Sequence, residues 1–350
     1  IFTMKKFKTI ERVRRPFLNY HKYLRLDRAE YGHKFGKEKK DVSDNYYPNC
    51  QNVMLRLANF HKVSIDNLVI GLGACSLIKD IFLWLHLKNN KKNIIGISNP
   101  NFFMYTIYSN LLNFKICKFN IDPSKSKKID VNFLKKFIKQ NKITSFFLVN
   151  PSHPFEKFWT NKEVIEIIKF CKKRKVFLII DEAYGNLGSK SDIQHIIKFK
   201  NVLLVETFSK NYGLPGLRFG YLIGHKTIIK QLMSFRLSYE ISSYTAKKVI
   251  ELLNNKNIIR SKINSIKSSR KFAHMEFKKR GIKSYGNYGN SVTFGMKTKK
   301  ITQALGRYLK KKKIIINFNY PKPFQHYLNI TTTNKNNLKL FFSKLDNFIQ

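Results

Sequence analysis

Acidic residues are scarce in this chain. Only 21 Asp and Glu stand against 67 Lys and Arg, a formal net charge of +46 over 350 residues. That excess favours anionic partners: nucleic acid, acidic headgroups or phosphorylated metabolites. It is mostly lysine, it travels with abundant Ile and Asn as in chains from AT-rich genomes, and it is spread along the whole length. A nucleic-acid module would gather it in a tail or stripe. Composition is therefore the first explanation, a small anionic substrate the second, and nucleic-acid binding the last. Cysteine is scarce too. Cys50, Cys75, Cys117 and Cys171 form no CxxC pair and no His cluster accompanies them, which argues against a metal site and for a reducing, cytoplasmic setting. Long apolar runs are missing. The longest, such as Phe177–Ile180, are bounded by charge, so no membrane span is expected. The opening Ile1–Lys6 has no apolar stretch of the kind a secretory signal carries, and Met4 is a candidate initiator. There is no internal repeat and no Pro/Gly/Ser linker.

What is present suffices for a packed core: 43% hydrophobic and 14% aromatic residues, in a length that fits one large domain and a smaller one. Candidate strands end at Ile70 and cover Asn93–Ser98, Lys115–Asn120, Thr144–Val149, Val176–Ile180, Asn201–Glu206 and Gly220–Ile223. Helical patterns lie between them at Ser76–Leu87, Val131–Gln140, Asn161–Arg174 and Asp192–Phe199. Strands alternating with helices indicate an α/β domain with a mostly parallel sheet. Phe146–Val149 and Val176–Ile180 are apolar at every position, as a sheet covered on both faces requires. After about Tyr239 the texture changes to a long helical tract near 244–280, short strands near Ser291–Met296 and Ile314–Phe318, and a closing helix at Asn336–Phe348. The expected division is an N-terminal arm at 1–25, a large α/β domain at 26–240 and a small α+β domain at 241–350.

Four segments carry chemistry, each at or near the end of a candidate strand, where open parallel sheets place their sites. Gly71-Leu72-Gly73-Ala74-Cys75-Ser76 opens a helix, and its glycines let backbone N–H groups approach a phosphate; by itself this is also an ordinary tight strand–helix turn. Asp181-Glu182-Ala183-Tyr184 puts a carboxylate at the mouth of a buried strand, where it needs a cationic partner; a surface acid or helix cap is the equal alternative. The third segment is the most specific. Thr207 to Tyr221 holds Thr207, Ser209, Lys210, a Gly213-Leu214-Pro215-Gly216 turn and Arg218. The hydroxyls and guanidinium suit a phosphate, and an ordered, desolvated lysine beside positive charge suits an imine-forming amine. The fourth is Asn150-Pro151-Ser152-His153-Pro154-Phe155-Glu156.

Taken together these segments resemble the class I/II, fold-type-I pyridoxal-phosphate aminotransferases, most of all the histidinol-phosphate aminotransferase branch. The resemblance runs from about Leu26 to Phe348 in the family's order and spacing. It implies pyridoxal 5'-phosphate as cofactor, a seven-stranded sheet in the large domain, and an amino donor and acceptor as substrates. It further implies that Lys210 is the Schiff-base lysine and proton carrier, Asp181 pairs with the pyridine nitrogen and Tyr184 hydrogen-bonds the ring hydroxyl. Thr207, Ser209 and Arg218, with the backbone of Gly73, Ala74 and Cys75, would hold the phosphate. Phe102 would stack on the ring. Tyr47 matches a tyrosine that reaches a partner subunit's phosphate, which implies a homodimer with shared sites.

The chain also departs from the family. His153 stands where relatives have an Asn on the ring hydroxyl, and Phe155-Glu156 replace Thr-Gly. Asn329, in Tyr327-Leu328-Asn329-Ile330-Thr331, takes the place of the arginine that clamps a substrate carboxylate, and Asn317 takes another frequent arginine position. Leu26-Asp27-Arg28-Ala29-Glu30-Tyr31 resembles the substrate-lining entry segment, so Arg28 is a candidate substitute cation and Tyr31 a candidate substrate contact. The expected activity is amino transfer to a small phosphorylated or otherwise anionic keto or aldehyde acceptor. The rivals are a decarboxylase of a phosphorylated amino acid, a catalytically silent relative and a nucleic-acid-binding relative.

Overall fold

The structure is a computed structural model that describes residues 47–48, 50–88, 93–185, 191–237 and 239–350. The arm expected at 1–25, with Arg28 and Tyr31, lies outside these residues. Seven strands form one sheet: β1 Leu68–Gly71, β2 Ile94–Asn99, β3 Lys115–Asn120, β4 Ser145–Val149, β5 Phe177–Asp181, β6 Val202–Thr207 and β7 Gly220–Gly224. Their spatial order is β1-β7-β6-β5-β4-β2-β3. Neighbouring strands are parallel from β3 through β6, and β7 is antiparallel to both β6 and β1.

The apolar strands are explained by a core on each face of the sheet. Phe146, Leu148, Leu178, Ile180, Val202 and Leu204 enter one core. Their alternating neighbours Phe147, Phe177, Ile179, Leu203 and Val205 enter the other. A period of two splits each strand between two buried layers, so the strand middles are apolar on both faces, and the buried polar residues Ser145, Asp181, Glu206 and Thr207 sit at the strand ends. The helices are α1 Cys50–His61, α2 Gly73–Lys88, α3 Phe103–Leu111, α4 Val131–Gln140, α5 Asn161–Lys173, α6 Ile193–Ile196, α7 Phe208–Asn211, α8 Lys226–Met233, α9 Ser243–Asn254, α10 Lys256–Lys279, α11 Lys299–Lys311 and α12 Lys335–Ile349. Local sequence starts several of them. Asp130 accepts from the Phe133 N–H at 2.7 Å to begin α4, and Thr160 with Glu163 makes a reciprocal capping box on α5.

A second sheet, ordered β10-β9-β8, is antiparallel: β8 Ser284–Tyr285, β9 Ser291–Gly295 and β10 Tyr327–Thr331. Val292, Phe294, Leu328 and Ile330 pack there with Ala273 and Phe277 of α10 and with Leu338, Phe342 and Leu345 of α12. α9 packs under the large sheet through Ala246, Val249 and Leu252, as does Ile259 near the start of α10. At 24 residues α10 is about 36 Å long, enough to carry the chain from one core to the other.

Several expected elements differ. Ile314–Phe318 is not a strand; only an isolated bridge joins Asn317 to Asn329, and β10 takes the central pairing with β9. The expected 192–199 helix shrinks to the single turn of α6. The tract near 244–280 is two helices, because Asn255 leaves helical geometry (φ −117°, ψ 82°) and caps α10 through the Ile258 N–H. α1, α3, α7, α8 and α11 were not expected. No helix of the described residues is long and apolar enough to cross a membrane.

Candidate active site

The sheet's register gathers the four segments at one edge. Val149 pairs with Asp181, Asp181 with Val205, Thr207 with Gly220 and Gly220 with Gly71. The carboxyl ends of β1, β4, β5 and β6 therefore meet the start of the antiparallel β7.

One end of this edge is a cup. Gly73 begins α2 at φ +72°, a backbone conformation that favours glycine. A Cβ on Gly220 would lie 2.8 Å from the Gly73 carbonyl carbon and 2.9 Å from the Ala74 nitrogen, so only a glycine there lets β7 lie against the first turn of α2. A Cβ on Gly73 would meet Arg218 Nη2 at 3.2 Å, which places the guanidinium over the same turn. Arg218 is itself left-handed at φ 47°. Thr207 Oγ1 lies 3.1 Å from Ser209 Oγ and accepts from the Ser209 N–H at 3.2 Å. Two hydroxyls, a guanidinium and a helix N-terminus bearing Ala74 and Cys75 thus face one small space. Such a donor set fits a phosphate dianion.

The middle of the edge holds a buried carboxylate. Asp181 is 4% exposed. Its Oδ1 accepts from the Ala183 N–H at 2.9 Å and its Oδ2 from the Tyr105 hydroxyl. Burial pushes the Asp181 carboxyl up, and the two hydrogen bonds only partly oppose this. No lysine or arginine pairs with it among the described residues, so a protonated ring nitrogen would meet an unmatched anion. Tyr105 had not been singled out. It lies on α3 three residues after Phe102, whose ring meets it edge-on at 5.8 Å. Burial, then the Asp181 charge, raises its hydroxyl well above the ordinary range, so it stays a donor.

Tyr184 is buried, and burial followed by the charges of Asp181 and Tyr320 raises its hydroxyl. His153 stacks on it with ring centroids 4.7 Å apart and planes 17° from parallel. Burial first, and then the ammonium of Lys210, lower the His153 imidazole to about 4. It is therefore neutral near pH 7. The Lys210 ammonium is thus close enough to His153 for its charge to be felt there, and no carboxylate pairs with Lys210 among the described residues.

On the small-sheet side, Asn329 is 1% exposed. Its Nδ2 donates to Thr293 Oγ1 at 2.9 Å and Ser291 Oγ at 3.2 Å, with Pro154 O at 3.4 Å, while its Oδ1 is buried without a partner. The amide hydrogens are committed to β9, leaving only an acceptor. Asn317 is exposed and joins Asn329 through its backbone alone. Tyr320 was also missed. Its hydroxyl is buried without a partner and its ring packs 4.9 Å from Phe155. It sits in an irregular segment, where no periodicity could mark it. Tyr47 is 46% exposed and stacks on Tyr239 at 4.3 Å. No group of three or more His, Cys, Asp or Glu suited to a metal occurs among the described residues.

With this geometry in hand, likeness to known proteins becomes informative. The family profile "Aminotransferase class I and II" matches residues 35–345. A histidinol-phosphate aminotransferase of Campylobacter jejuni is 30% identical over 282 residues, covering 77% of this chain and 75% of that protein. In fold, the chain is similar to the histidinol-phosphate aminotransferase of Sinorhizobium meliloti solved in complex with pyridoxal-5'-phosphate. That TM-score is 0.79 at 19% identity, over 87% of this chain and 83% of the other. It is also similar to the L-threonine-O-3-phosphate decarboxylase of Porphyromonas gingivalis, with a TM-score of 0.70 at 17% identity over 87% and 90%.

Proposed function

The chain belongs to the class I and II aminotransferases, on the branch of the histidinol-phosphate aminotransferases, and from that membership we propose that it transfers an amino group to a small phosphorylated or otherwise anionic keto or aldehyde acceptor. Pyridoxal 5'-phosphate is the cofactor; bound, it supplies an aldehyde that captures amines and a ring that accepts electrons from the carbon beside them.

The observation that carries this reading is the convergence on one sheet edge of a phosphate cup with a buried carboxylate and a lysine that, among the described residues, have no ion-pair partner. Arg218, Thr207, Ser209 and the N–H groups of Gly73, Ala74 and Cys75 would bind the phosphate. Asp181, oriented by Tyr105 and the Ala183 N–H, would hold a proton on the ring nitrogen. Phe102 would cover one face of the ring. Tyr184 would donate to the ring hydroxyl, and neutral His153 would donate there in place of an amide. Lys210 Nζ would hold the cofactor and, when freed, take a proton from the donor carbon. Asn329 offers a substrate no charge, Asn317 stands at the rim, and Arg28 and Tyr31 are proposed as further substrate contacts. Exposed Tyr47 would serve a second copy's phosphate, so we read the working form as a cytoplasmic homodimer.

Borohydride reduction of the loaded protein, followed by peptide mapping, tests the centre of this reading. The cofactor should be found on Lys210, and Lys210→Ala should lose the long-wavelength absorption of the bound cofactor. Label on another lysine would overturn the assignment. Release of CO2 in place of amino transfer from a phosphorylated amino acid would favour the decarboxylase reading.

A further inference from the structure

The loop that carries His153 is tied to the small sheet by a residue with no part in the site described above. That residue is Glu156. Its Oε1 accepts from the Asn287 N–H at 2.6 Å, and its Oε2 accepts from the N–H groups of Tyr288 at 2.7 Å and Gly289 at 2.9 Å. Three consecutive backbone donors turned toward one point form an anion nest, and here a side chain from the large sheet's loop fills it. Such charge-assisted bonds are about twice as strong as neutral ones. Arg270 of α10 backs the nest by donating to the Gly289 carbonyl, and its guanidinium attracts the Glu156 carboxylate. Phe158 stacks on Tyr288 at 4.2 Å. Pro154 O, adjacent to His153, accepts from Thr293 Oγ1 at 3.1 Å.

The nest also adjoins the site. A Cβ on Gly289 would lie 4.0 Å from Tyr184 Cδ1 and 3.9 Å from Glu156 Oε2. The turn thus lies next to the ring on which His153 stacks, with room for no more than a methyl group between them. We propose that Glu156 is a positioning residue: by occupying the 287–289 nest it locks the 150–157 loop to the small sheet and holds His153 and Tyr184 in their stacked register. A carboxylate is required because one neutral amide oxygen cannot satisfy three converging donors.

This role rests on the aminotransferase reading only in its effect on the cofactor; the lock itself does not. The test compares Glu156→Gln with Glu163→Gln, the same charge-removing change at the α5 capping box, where the amide oxygen can still accept from the Thr160 N–H and which lies away from the nest. Amide exchange is followed in the wild type and both variants with cofactor bound. In Glu156→Gln the 287–289 amides should exchange at least about tenfold faster, and the Ser152 and Lys157 amides, which bond across the loop, should accelerate with them. The absorbance-against-pH midpoint of the bound cofactor should also move, since His153 shifts; Glu163→Gln should change neither. Unchanged exchange at 287–289, acceleration confined to that turn, or a midpoint equal to wild type would each overturn the proposal. If the wild type binds no cofactor, the aminotransferase reading fails and the exchange data alone decide whether the lock exists.

Discussion

His153 makes a sharp claim about stability and pH. Its imidazole is held down to about 4 by burial and by Lys210, against about 6.5 in an unfolded chain. Above pH 6.5 both states are neutral at this position and it contributes nothing. Between 6.5 and 4 the unfolded chain takes up a proton that the folded protein refuses, so stability falls as pH falls. Below 4 both states are protonated and the penalty stops growing. Each pH unit in that window costs about 1.4 kcal/mol. Going from about pH 7 to about pH 5 therefore costs at most ~2 kcal/mol, and about half of that once solvent reaching the partly exposed ring is allowed for. Asp181 titrates with the opposite sign, because its raised carboxyl favours the folded state as pH drops. The comparison must therefore be a double difference. His153→Asn replaces the imidazole with a group that does not titrate and leaves Asp181 in place. Thermal unfolding of cofactor-free wild type and variant, at about pH 7 and about pH 5, should show the wild type losing ~1 kcal/mol more than the variant. That is about 1–3 °C for a chain of this size. Equal losses in both proteins would refute the view that His153 is kept neutral beside Lys210.

Two further outcomes follow from buried groups elsewhere. Asn329→Arg should lower the Michaelis constant for simple donors such as glutamate by roughly ten- to a hundredfold, the worth of one charge-assisted pair; a wild type already saturated at micromolar donor and impaired by the change would mean that another residue clamps the carboxylate. Arg236 lies buried between Asp80 and Glu240, donating to both and to the Ile70 carbonyl at 2.7 Å. Arg236→Met strands two carboxylates that burial already pushes up, and should cost about 3–5 kcal/mol. Denaturant unfolding at neutral pH checks this, and a loss under about 1 kcal/mol would contradict the reading of these as a paired buried cluster.

Much of this arrangement follows from neighbours along the chain. The short all-apolar runs at 146–149 and 177–180, set between helix-length segments, read as strands buried on both faces, and a period of two divides each run between two cores. The Gly71–Ser76 turn and the Thr207–Arg218 segment were each legible because their parts lie within a few residues of one another, and the family resemblance joined them; that Gly73 meets Arg218 and Gly220 depends on the pairing of β1 with β7. The departures at His153, Asn329 and Glu156 were visible as letters, but what they touch was not. Tyr105 reaches Asp181 across 76 positions, Glu156 reaches the 287–289 turn across 131 to 133, and Arg236 reaches Asp80 across 156. A strand or helix pattern depends only on residues one to four apart, whereas these contacts depend on how helices dock onto the sheet and how the small sheet meets the large one. Side-chain volume and buried hydrogen bonding across the whole molecule decide that docking. Amphipathic pattern therefore located the sheet edge, and only tertiary packing decided that a tyrosine would orient the buried aspartate and a glutamate would occupy the nest beside it.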